Sequence, residues 1–427
     1  MKQSIYNHFV PINDKIICYN AFTDSFVVAK RDSIGDVNCI SVDSALYRQF
    51  VDNGFLIHDN VNEKQLYIEA RTKEIHSTEQ YELIINPTMD CNLNCWYCYE
   101  SHIENSYLSE DLISAIEKHI EAKYLETKFK ELILSFFGGE PLLRADIVTR
   151  LISIARRLSQ KLGFSLSLLS FTTNGTLVTE CFLNVVKDYQ TSFQITLDGN
   201  QVCHDKIRKL KRSDCGTYST ILHAVERILE KLSNKTNVVL RVNMSAANIN
   251  NMDMILDDIE KFSAFPNFSV GLHRVWQVNP GKINEKKVLT FVSKCQSLGI
   301  KCDYLSLQRC LCSCYADYKN EAIINYDGLV FKCTARPFTV ENSCGHLDLD
   351  GNIICDNDLL NKRLSLPLPQ KCLDCNILPS CPKYCSQKLL ENSTKHCPIN
   401  GNYSVNDYIV HNFNNYLIDY KKKLMRK

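Results

Sequence analysis

The chain has 427 residues, 45% hydrophobic and 23% charged, with a formal net charge of +1 from 49 basic and 48 acidic residues. These values predict a globular protein with a sizeable core, divided into two or three domains, and exclude the basic field that dominates nucleic-acid binding. No run of 18 apolar residues occurs, and the start MKQSIYNHFVPINDK lacks the apolar core of a signal peptide, so a cytoplasmic protein without a membrane span is expected.

Residues 1–80 read as a small separate unit. KIICYNAFTDSFVVAK predicts a hairpin turning at Thr23, Asp24 and Ser25. SVDSALYRQFVDNG predicts a helix with Ser41 as N-cap and Gly54 just past its end. A hairpin and a short helix resemble a winged-helix fragment; a decorated N-terminal extension is the plainer alternative.

Over residues 81–305, strand-like runs alternate with helical patterns. YELIINP precedes SEDLISAIEKHIEAKYLE, and ELILSFFGG precedes RADIVTRLISIARRLSQKLG; SLSLLSFTTNG, SFQITLDG, VVLRVNMS and FSVGLHRV follow. Such alternation predicts βα units on a parallel sheet, open or closed into a barrel, with polar motifs at the C-terminal strand edge where sites of such folds lie. Residues 306–398 break into short segments, turns and cysteines, a stretch that metal would have to cross-link. In the tail, 399–427, Ile409, Phe413, Tyr416, Leu417 and Tyr420 share a helical face predicted to pack on the body.

Cysteine is the anomaly, with 21 in a chain showing no export signal. A reducing compartment disfavours disulfides, so clustered cysteines point to metal or catalysis. Cys18, Cys39, Cys181, Cys203, Cys215 and Cys295 are scattered and read as small buried hydrophobes. Cys91, Cys95 and Cys98 give C-x3-C-x2-C directly after the first strand of the alternating region. Thiolates at this density select zinc or iron–sulfur clusters. The next histidine, His102, would complete a zinc site at a spacing matching none of the usual pairs. A catalytic site instead keeps one coordination position open.

The stretch resembles the signature of the radical S-adenosylmethionine (SAM) enzymes, with Tyr97 as the aromatic before the last cysteine. The resemblance implies a [4Fe-4S] cluster on Cys91, Cys95 and Cys98, its fourth iron chelated by S-adenosylmethionine. Reductive cleavage of that cofactor then gives a 5′-deoxyadenosyl radical, which abstracts hydrogen from substrate. GGEP (Gly138, Gly139, Glu140, Pro141) is similar to the family motif that binds the methionine amino group. TTNG, with Thr173 and Asn174, and QITLDG, with Thr196 and Asp198, resemble stretches contacting ribose and carboxylate. Arg241 and Asn243 of RVNMS fall at corresponding places. Each motif alone is an ordinary strand-to-helix turn; four in order behind the cysteines are not. The fold implied over 81–305 is the partial (β/α)6 barrel.

Further on, Cys314-x13-Gly328-x4-Cys333 is followed by Cys372-x2-Cys375-x5-Cys381-x3-Cys385-x11-Cys397. Together these resemble the SPASM domain at every step, whereas a zinc ribbon would leave an odd cysteine over. The resemblance implies two auxiliary [4Fe-4S] clusters, three clusters in all. Cys314, Cys333, Cys385 and one upstream cysteine would hold the first, and Cys372, Cys375, Cys381 and Cys397 the second. Cys310 and Cys312 compete for the upstream place, with Cys310 preferred. Cys344 and Cys355 lie outside the motif and read as packing residues.

SPASM proteins mostly modify peptides or proteins. Maturases of ribosomally made peptides install thioether or carbon–carbon cross-links or epimerise residues; anaerobic sulfatase-maturating enzymes oxidise Cys or Ser to formylglycine. The latter place an Asp after the cysteine equivalent to Cys333, where this chain has Thr334, a poor base at neutral pH. The N-terminal 80 residues favour a peptide maturase, since such enzymes often carry an N-terminal winged-helix-like module that captures a leader by β-augmentation, and CTARPF, GHLDLDGNI and CNILPSCPKYC resemble the grasp-with-SPASM type. Expected partners are a precursor peptide with its leader and a flavodoxin- or ferredoxin-like electron donor, with no nucleic acid. A non-catalytic peptide-binding scaffold is the third reading, opposed by the intact Cys91, Cys95, Cys98 and Glu140.

Overall fold

The computed structural model describes residues 1–34, 37, 40–213, 215–232, 235–275, 281–312, 314–382, 385–391, 397–399 and 402–424. Cys39 lies outside them. The chain divides into two compact units, one of residues 1–77, 305–319 and 361–420, the other of 78–304, 320–360 and 421–427.

In the first unit, β1 (Lys2–Gln3) pairs with β5 (Leu56–Ile57), and β2 (Asn7–Ile12), β3 (Lys15–Asn20) and β4 (Ser25–Lys30) form an antiparallel meander. Its turns follow local chemistry: Asn13 and Asp24 adopt positive φ, and the Asn20 side chain accepts from the backbone of Phe22 and Thr23. Helix α1 (Ala45–Asp52) closes a small core of Ile16, Cys18, Val27, Phe50, Phe55 and Leu56. The expected N-cap, Ser41, is corrected to Ser44, whose hydroxyl accepts from Tyr47 N at 3.0 Å while donating to the carbonyl of Ser41.

Helix α2 (Glu63–Ile75) and the cysteine-rich segments join this sheet. Ser380 Oγ donates to Ala21 O (2.5 Å), Lys64 pairs with Asp374 (2.7 Å), and Lys319 N donates to Ile75 O (2.8 Å). In the terminal helix, Val405–Leu424, Ile409 is fully buried and the ring of Phe413 sits tilted against Phe26 at 5.4 Å. Tyr416, 5.5 Å from Phe26, stays 45% exposed, as do Leu417 and Tyr420 at 36% and 50%, so the stripe packs fully only in its first part.

In the second unit the parallel strands β6 (Gln80–Ile85), β7 (Glu131–Phe136), β8 (Ser165–Thr173), β9 (Thr191–Leu197), β10 (Thr236–Met244), β11 (Phe268–Arg274) and β12 (Lys301–Asp303) lie side by side in chain order. Helices α3 (Glu110–Thr127), α4 (Ala145–Leu162), α5 (Glu180–Val186), α6 (Gln201–Ile207), α7 (Tyr218–Leu232), α8 (Ile255–Ile259) and α9 (Glu285–Ser297) connect them. This is the singly wound order of a (β/α) barrel left open. On the far side of β6 the sheet continues through β13 (Glu321–Ile324), parallel to β6, and an antiparallel meander of β14 (Leu329–Phe331), β15 (Gly345–Leu347) and β16 (Ile353–Cys355). Helix limits obey the sequence: Ser109 caps α3 and Gly163, at φ +91°, ends α4. The core is one apolar cluster from Tyr81 to Leu347 that includes Cys295, Cys302 and Cys344.

Among the scattered cysteines, Cys18 and Cys295 are buried as expected; Cys203 is half-buried, and Cys181 and Cys215 are exposed, so that reading is corrected for these three. Among the described residues no helix is long and apolar enough to cross a membrane.

Candidate active site

The parallel strands end in register, which gathers their polar ends at one edge. Ile85 of β6 pairs with Phe136 of β7, and Arg241 of β10 with Thr196 of β9. From β6 the chain runs through Thr88 and Asp90 to Cys91; from β7 it runs into Gly138 and Gly139. The glycines have a specific cause. A Cβ at Gly138 would stand 2.4 Å from Thr88 O, and one at Gly139 would stand 2.1 Å from Asp90 O. Gly139 N and Glu140 N donate to those carbonyls at 3.1 and 2.8 Å. The paired glycines therefore admit the backbone that carries the cysteines, a requirement the sequence alone did not separate from close approach to a ligand.

Cys91, Cys95 and Cys98 line one pocket with Tyr97, Gly138, Gly139, Thr173, Asn174, Thr196, Arg241 and Asn243. The other predicted residues, Glu140, Pro141 and Asp198, are buried behind its wall. Glu140, fully buried, accepts from Thr173 Oγ1 (2.7 Å) and Leu142 N (2.9 Å) at Oε1 and from Asn174 N (2.6 Å) at Oε2. Burial pushes its carboxyl up against the pull of those donors. Asn174 in turn donates to Asn92 Oδ1 at 2.8 Å, with Cys91 Sγ 3.8 Å away. One network thus ties the turns after β7 and β8 to the cysteine loop.

A second network centres on Tyr97. Its hydroxyl donates to Asp198 (2.7 Å) and accepts from Asn243 Nδ2 (2.9 Å) and Arg208 Nη1 (3.0 Å). Arg208 also pairs with Asp198 at 3.3 Å. Burial opposes its charge, but Cys95, Tyr97 and Asp198 outweigh that and keep it cationic. Sequence reading missed Arg208. The available signal was HDKIR, which sets His204 and Arg208 one helical turn apart just after the aspartate–glycine pair. His204 is buried and neutral, its pKa pushed down to about 2 by burial; its Nδ1 accepts from Asp198 N at 3.2 Å.

Also missed were Tyr99 and Glu100, which line the same pocket together with His102, weighed in the sequence only as a zinc ligand. Tyr99 reaches from the cysteine loop to the carbonyl of Thr334 at 2.8 Å, while burial raises Glu100 to about 8. His102 Nε2 lies 3.5 Å from Cys98 Sγ, within hydrogen-bonding reach of the sulfur.

The donor set suits a thiolate-held cluster and a polar cofactor. Burial, then the charge of Glu140, pushes the Cys91 thiol up to about 12, so its ionised form calls for a cation at the sulfur. Arg208 Nε is a buried donor at the pocket wall without a partner among the described residues. No group of three His, Cys, Asp or Glu among those residues converges to hold a single metal ion; a cluster spreads its thiolates over different irons and needs no such convergence.

Of the second cysteine field, Cys310, Cys312, Cys314, Cys372, Cys375, Cys381, Cys385 and Cys397 belong to the first unit and Cys333 to the second. Cys375 and Cys397 lie near enough to Cys372 for their charges to add to burial in raising its thiol. Cys312 is buried and Cys310 half-buried. Cys344 and Cys355, at the edge of β15 and β16, are hydrogen-bonded to each other.

Residues 85–262 match the Radical SAM superfamily. The radical SAM cyclopropyl synthase TigE of Paramaledivibacter caminithermalis is 25% identical over 80% of this chain and 76% of its own. A cysteine-type anaerobic sulfatase-maturating enzyme of Clostridium novyi is 24% identical over 71% of this chain and 87% of its own. In fold, anSMEcpe with bound AdoMet and the Cp18Cys peptide superposes with a TM-score of 0.53 at 18% identity, covering 80% of this chain and 97% of that one. Streptococcus suis SuiB bound to precursor peptide SuiA superposes with a TM-score of 0.52 at 13% identity, covering 93% and 98%. The cysteine loop and the open parallel barrel behind it thus form a Radical SAM domain, in a chain similar to a radical SAM cyclopropyl synthase and to a sulfatase-maturating enzyme.

Proposed function

We propose that the enzyme modifies a ribosomally made precursor peptide, abstracting hydrogen to form a cross-link such as a thioether or carbon–carbon bond or to epimerise a residue. The observation that carries this reading is the N-terminal meander. Its outer strand β4 has no further strand beside it among the described residues, and a groove lined by Val28, Lys30, Ser44, Leu46 and Gln49 runs between β4 and α1. An edge strand backed by a helix can take a leader as an added strand, with main-chain bonds giving affinity and the groove giving selectivity. The greater reach of the SuiB likeness over this chain supports the same choice.

In this reading Cys91, Cys95 and Cys98 hold the cluster, and Gly138, Gly139, Thr173, Asn174, Thr196, Arg241 and Asn243 face S-adenosylmethionine. Bound there, the pair supplies hydrogen-abstracting chemistry. Glu140 would act from behind, fixing Asn174 and Thr173 and offering its remaining acceptor capacity to the cofactor's ammonium group. Tyr97 and Asp198 orient Arg208, whose charge offsets the thiolates. Cys372, Cys375, Cys381 and Cys397 would hold one auxiliary cluster, and Cys310, Cys314, Cys333 and Cys385 another. Cys310 is preferred to Cys312 as the upstream ligand, as the spacing already suggested. Thr334 in place of an acid weighs against formylglycine formation. The test is mass spectrometry of a full-length precursor and its leaderless core after incubation with anaerobically reconstituted enzyme. Modification of the full-length peptide alone is expected; equal modification of both, or formylglycine on a sulfatase-derived peptide, would refute the reading.

A further inference from the structure

Two cysteines stand apart from both cysteine motifs, and the fold brings them together. Cys344 leads into β15 and Cys355 ends β16, at the open end of the hairpin CGHLDLDGNIIC. The closed end is fixed by its own turn: Asp348 N donates to Asn352 O (2.9 Å), Asn352 N donates to Asp348 Oδ1 (2.7 Å), and Gly351 takes φ +88°. At the open end Gly345 and Cys355 are register partners. A Cβ at Gly345 would stand 2.1 Å from Ile354 O and 2.9 Å from Cys355 Cα, so the strands approach more closely there than a side chain permits. Val330 of β14 is the other partner of Gly345, yet its carbonyl accepts from Cys344 N at 2.8 Å. Cys344 and Gly345 thus oppose one residue of β14, as in a β-bulge, and a bulge re-aims the side chain it carries. The thiols of Cys344 and Cys355 meet in a hydrogen bond.

The two sulfurs differ. Cys344 is buried, its Sγ 3.4 Å from Val330 O, whereas Cys355 is half-buried. The hydrogen bond from Cys344 favours the Cys355 thiolate; burial and Asp356 oppose it, and Lys332 and Lys123 assist it. Lys332 is held in place by a buried ion pair with Glu321 at 2.7 Å. Cysteines that merely fill space need no such pairing. One reachable sulfur that carries the charge, with a second sulfur behind it, is the arrangement of a reactive dithiol.

We propose that Cys344 and Cys355 form a redox-active dithiol that a small-molecule disulfide of the glutathione class converts to an internal disulfide. The site is separate from the cluster cysteines and stands apart from the peptide-maturase reading. Cys355 Sγ attacks one sulfur of glutathione disulfide; that S–S bond breaks, and one glutathione leaves as its thiolate. Cys344 Sγ then attacks Cys355 Sγ and displaces the second glutathione. The cysteine protons end on the two glutathiones, so the dithiol is oxidised and glutathione disulfide is reduced. Adjacent strands lie about 4.7–4.9 Å apart, inside the Cα separation of about 4.4–6.8 Å that a disulfide spans. The bridge clasps the open end of the hairpin beside β14, the strand that leads into Cys333.

The experiment treats the anaerobic holoenzyme, freed of added reductant, with glutathione disulfide, then blocks the remaining thiols and digests without reduction. Cleavage at Asp348, Asp350 and Asp356 separates the two cysteines, so mass spectrometry reads a bridge as two peptides that part on reduction. Joined peptides are expected in wild type, with iron content unchanged, and dithiothreitol should restore both thiols. In Cys344→Ser the joined peptides should be lost, leaving glutathione on Cys355; in Cys355→Ser, Cys344 should stay unmodified. Wild type with both thiols still open to blocking, or with glutathione held on Cys355 and no bridge, would overturn the proposal without recourse to a variant. A bridge seen only as iron is lost would also overturn it, because the pair would not be separate from the clusters. So would joined peptides surviving in Cys344→Ser, since another cysteine would be the second sulfur, or glutathione on Cys344 in Cys355→Ser, since the order of attack would be wrong. Cofactor cleavage is not read in this experiment, so its failure leaves the reading of Cys91, Cys95 and Cys98 untouched.

Discussion

Thr173 Oγ1 donates to Glu140 Oε1 across 2.7 Å, fastening the end of β8 to the turn after β7. Glu140→Ala would leave that hydroxyl and the N–H groups of Leu142 and Asn174 without their acceptor in a buried place. Each unsatisfied buried group costs about 1–3 kcal/mol. A lowered melting temperature and weakened S-adenosylmethionine binding are both expected, with the iron content of the wild type retained. Calorimetric titration of the reconstituted variant with the cofactor reads the second effect; unchanged affinity would make GGEP a turn and nothing more.

Tyr97→Phe removes a single oxygen on which Asp198, Asn243 and Arg208 converge. Asp198 then keeps only the longer contact to Arg208, and the guanidinium loses a fixed orientation. The hydrogen bonds involve charged groups, so a loss of about 1.5–3 kcal/mol is expected. Slower cofactor cleavage should accompany it, with iron content unchanged. Wild-type cleavage rates would remove Arg208 from the proposed site.

The hairpin β3–β4, the strands β6–β11, several helix limits and the cysteine motifs were legible because each is written locally, whereas β12 and the extension β13–β16 were not foreseen. Arg208 was not, because HDKIR sets it one turn from His204 without saying that it turns inward while Lys206 and Arg212 stay exposed; that follows from the backbone pairing of Leu93 with Leu210. The association of residues 1–77 with 305–319 and 361–420 was equally hidden, since contacts such as Ser380 to Ala21 join positions more than three hundred residues apart. Ser41 was expected to cap the first helix, and the hydrogen bond from Tyr47 N shows Ser44 in that place.

His119 gives a pH prediction. It is buried between Tyr81, whose hydroxyl donates to Nε2 at 2.6 Å, and Gly351, whose carbonyl accepts from Nδ1 at 2.9 Å. Burial lowers its pKa from 6.5 to about 4. Between those values the unfolded chain binds more protons than the folded one, so stability is full above about pH 6.5 and falls as pH drops toward 4. The loss from this residue approaches about 3 kcal/mol at 1.36 kcal/mol per pKa unit. His204 adds slope in the same window, so the comparison must be with His119→Gln. That variant should be less stable at pH 7 but show a shallower decline on acidification in urea unfolding; an unaltered slope would contradict the burial argument.

Replacing Cys91, Cys95 and Cys98 together by Ala should remove about a third of roughly 12 irons per chain, and all cofactor cleavage, if three four-iron clusters are present. Stoichiometric zinc with little iron would refute the cluster reading outright. Replacing Cys381 or Cys397 should instead leave cleavage chemistry possible in principle while loosening the first unit, whose segment 361–399 has little apolar core of its own. Limited proteolysis should then cut that segment faster than in wild type.

The leader groove can be tested without deleting the N-terminal module, which deletion would strip from the cysteine-rich segments packed on it. Val28 on β4 is 46% exposed and lines the groove, so Val28→Asp should fold while placing a charge where an added strand would lie. Burying that carboxylate against a peptide is unfavourable, and a loss of about 1.4 kcal/mol is already tenfold in affinity. Fluorescence anisotropy with a labelled precursor should show binding weakened about tenfold or more, and modification of the full-length peptide should fall with it. Uncoupled conversion of S-adenosylmethionine to 5′-deoxyadenosine should persist, because the barrel and Cys91 to Cys98 are untouched. The two readouts separate leader capture from chemistry: capture raises the effective concentration of the distant core peptide and adds nothing to cofactor cleavage. Undiminished precursor binding in Val28→Asp would move leader recognition away from β4, and loss of both readouts would mean the substitution had disturbed more than the groove.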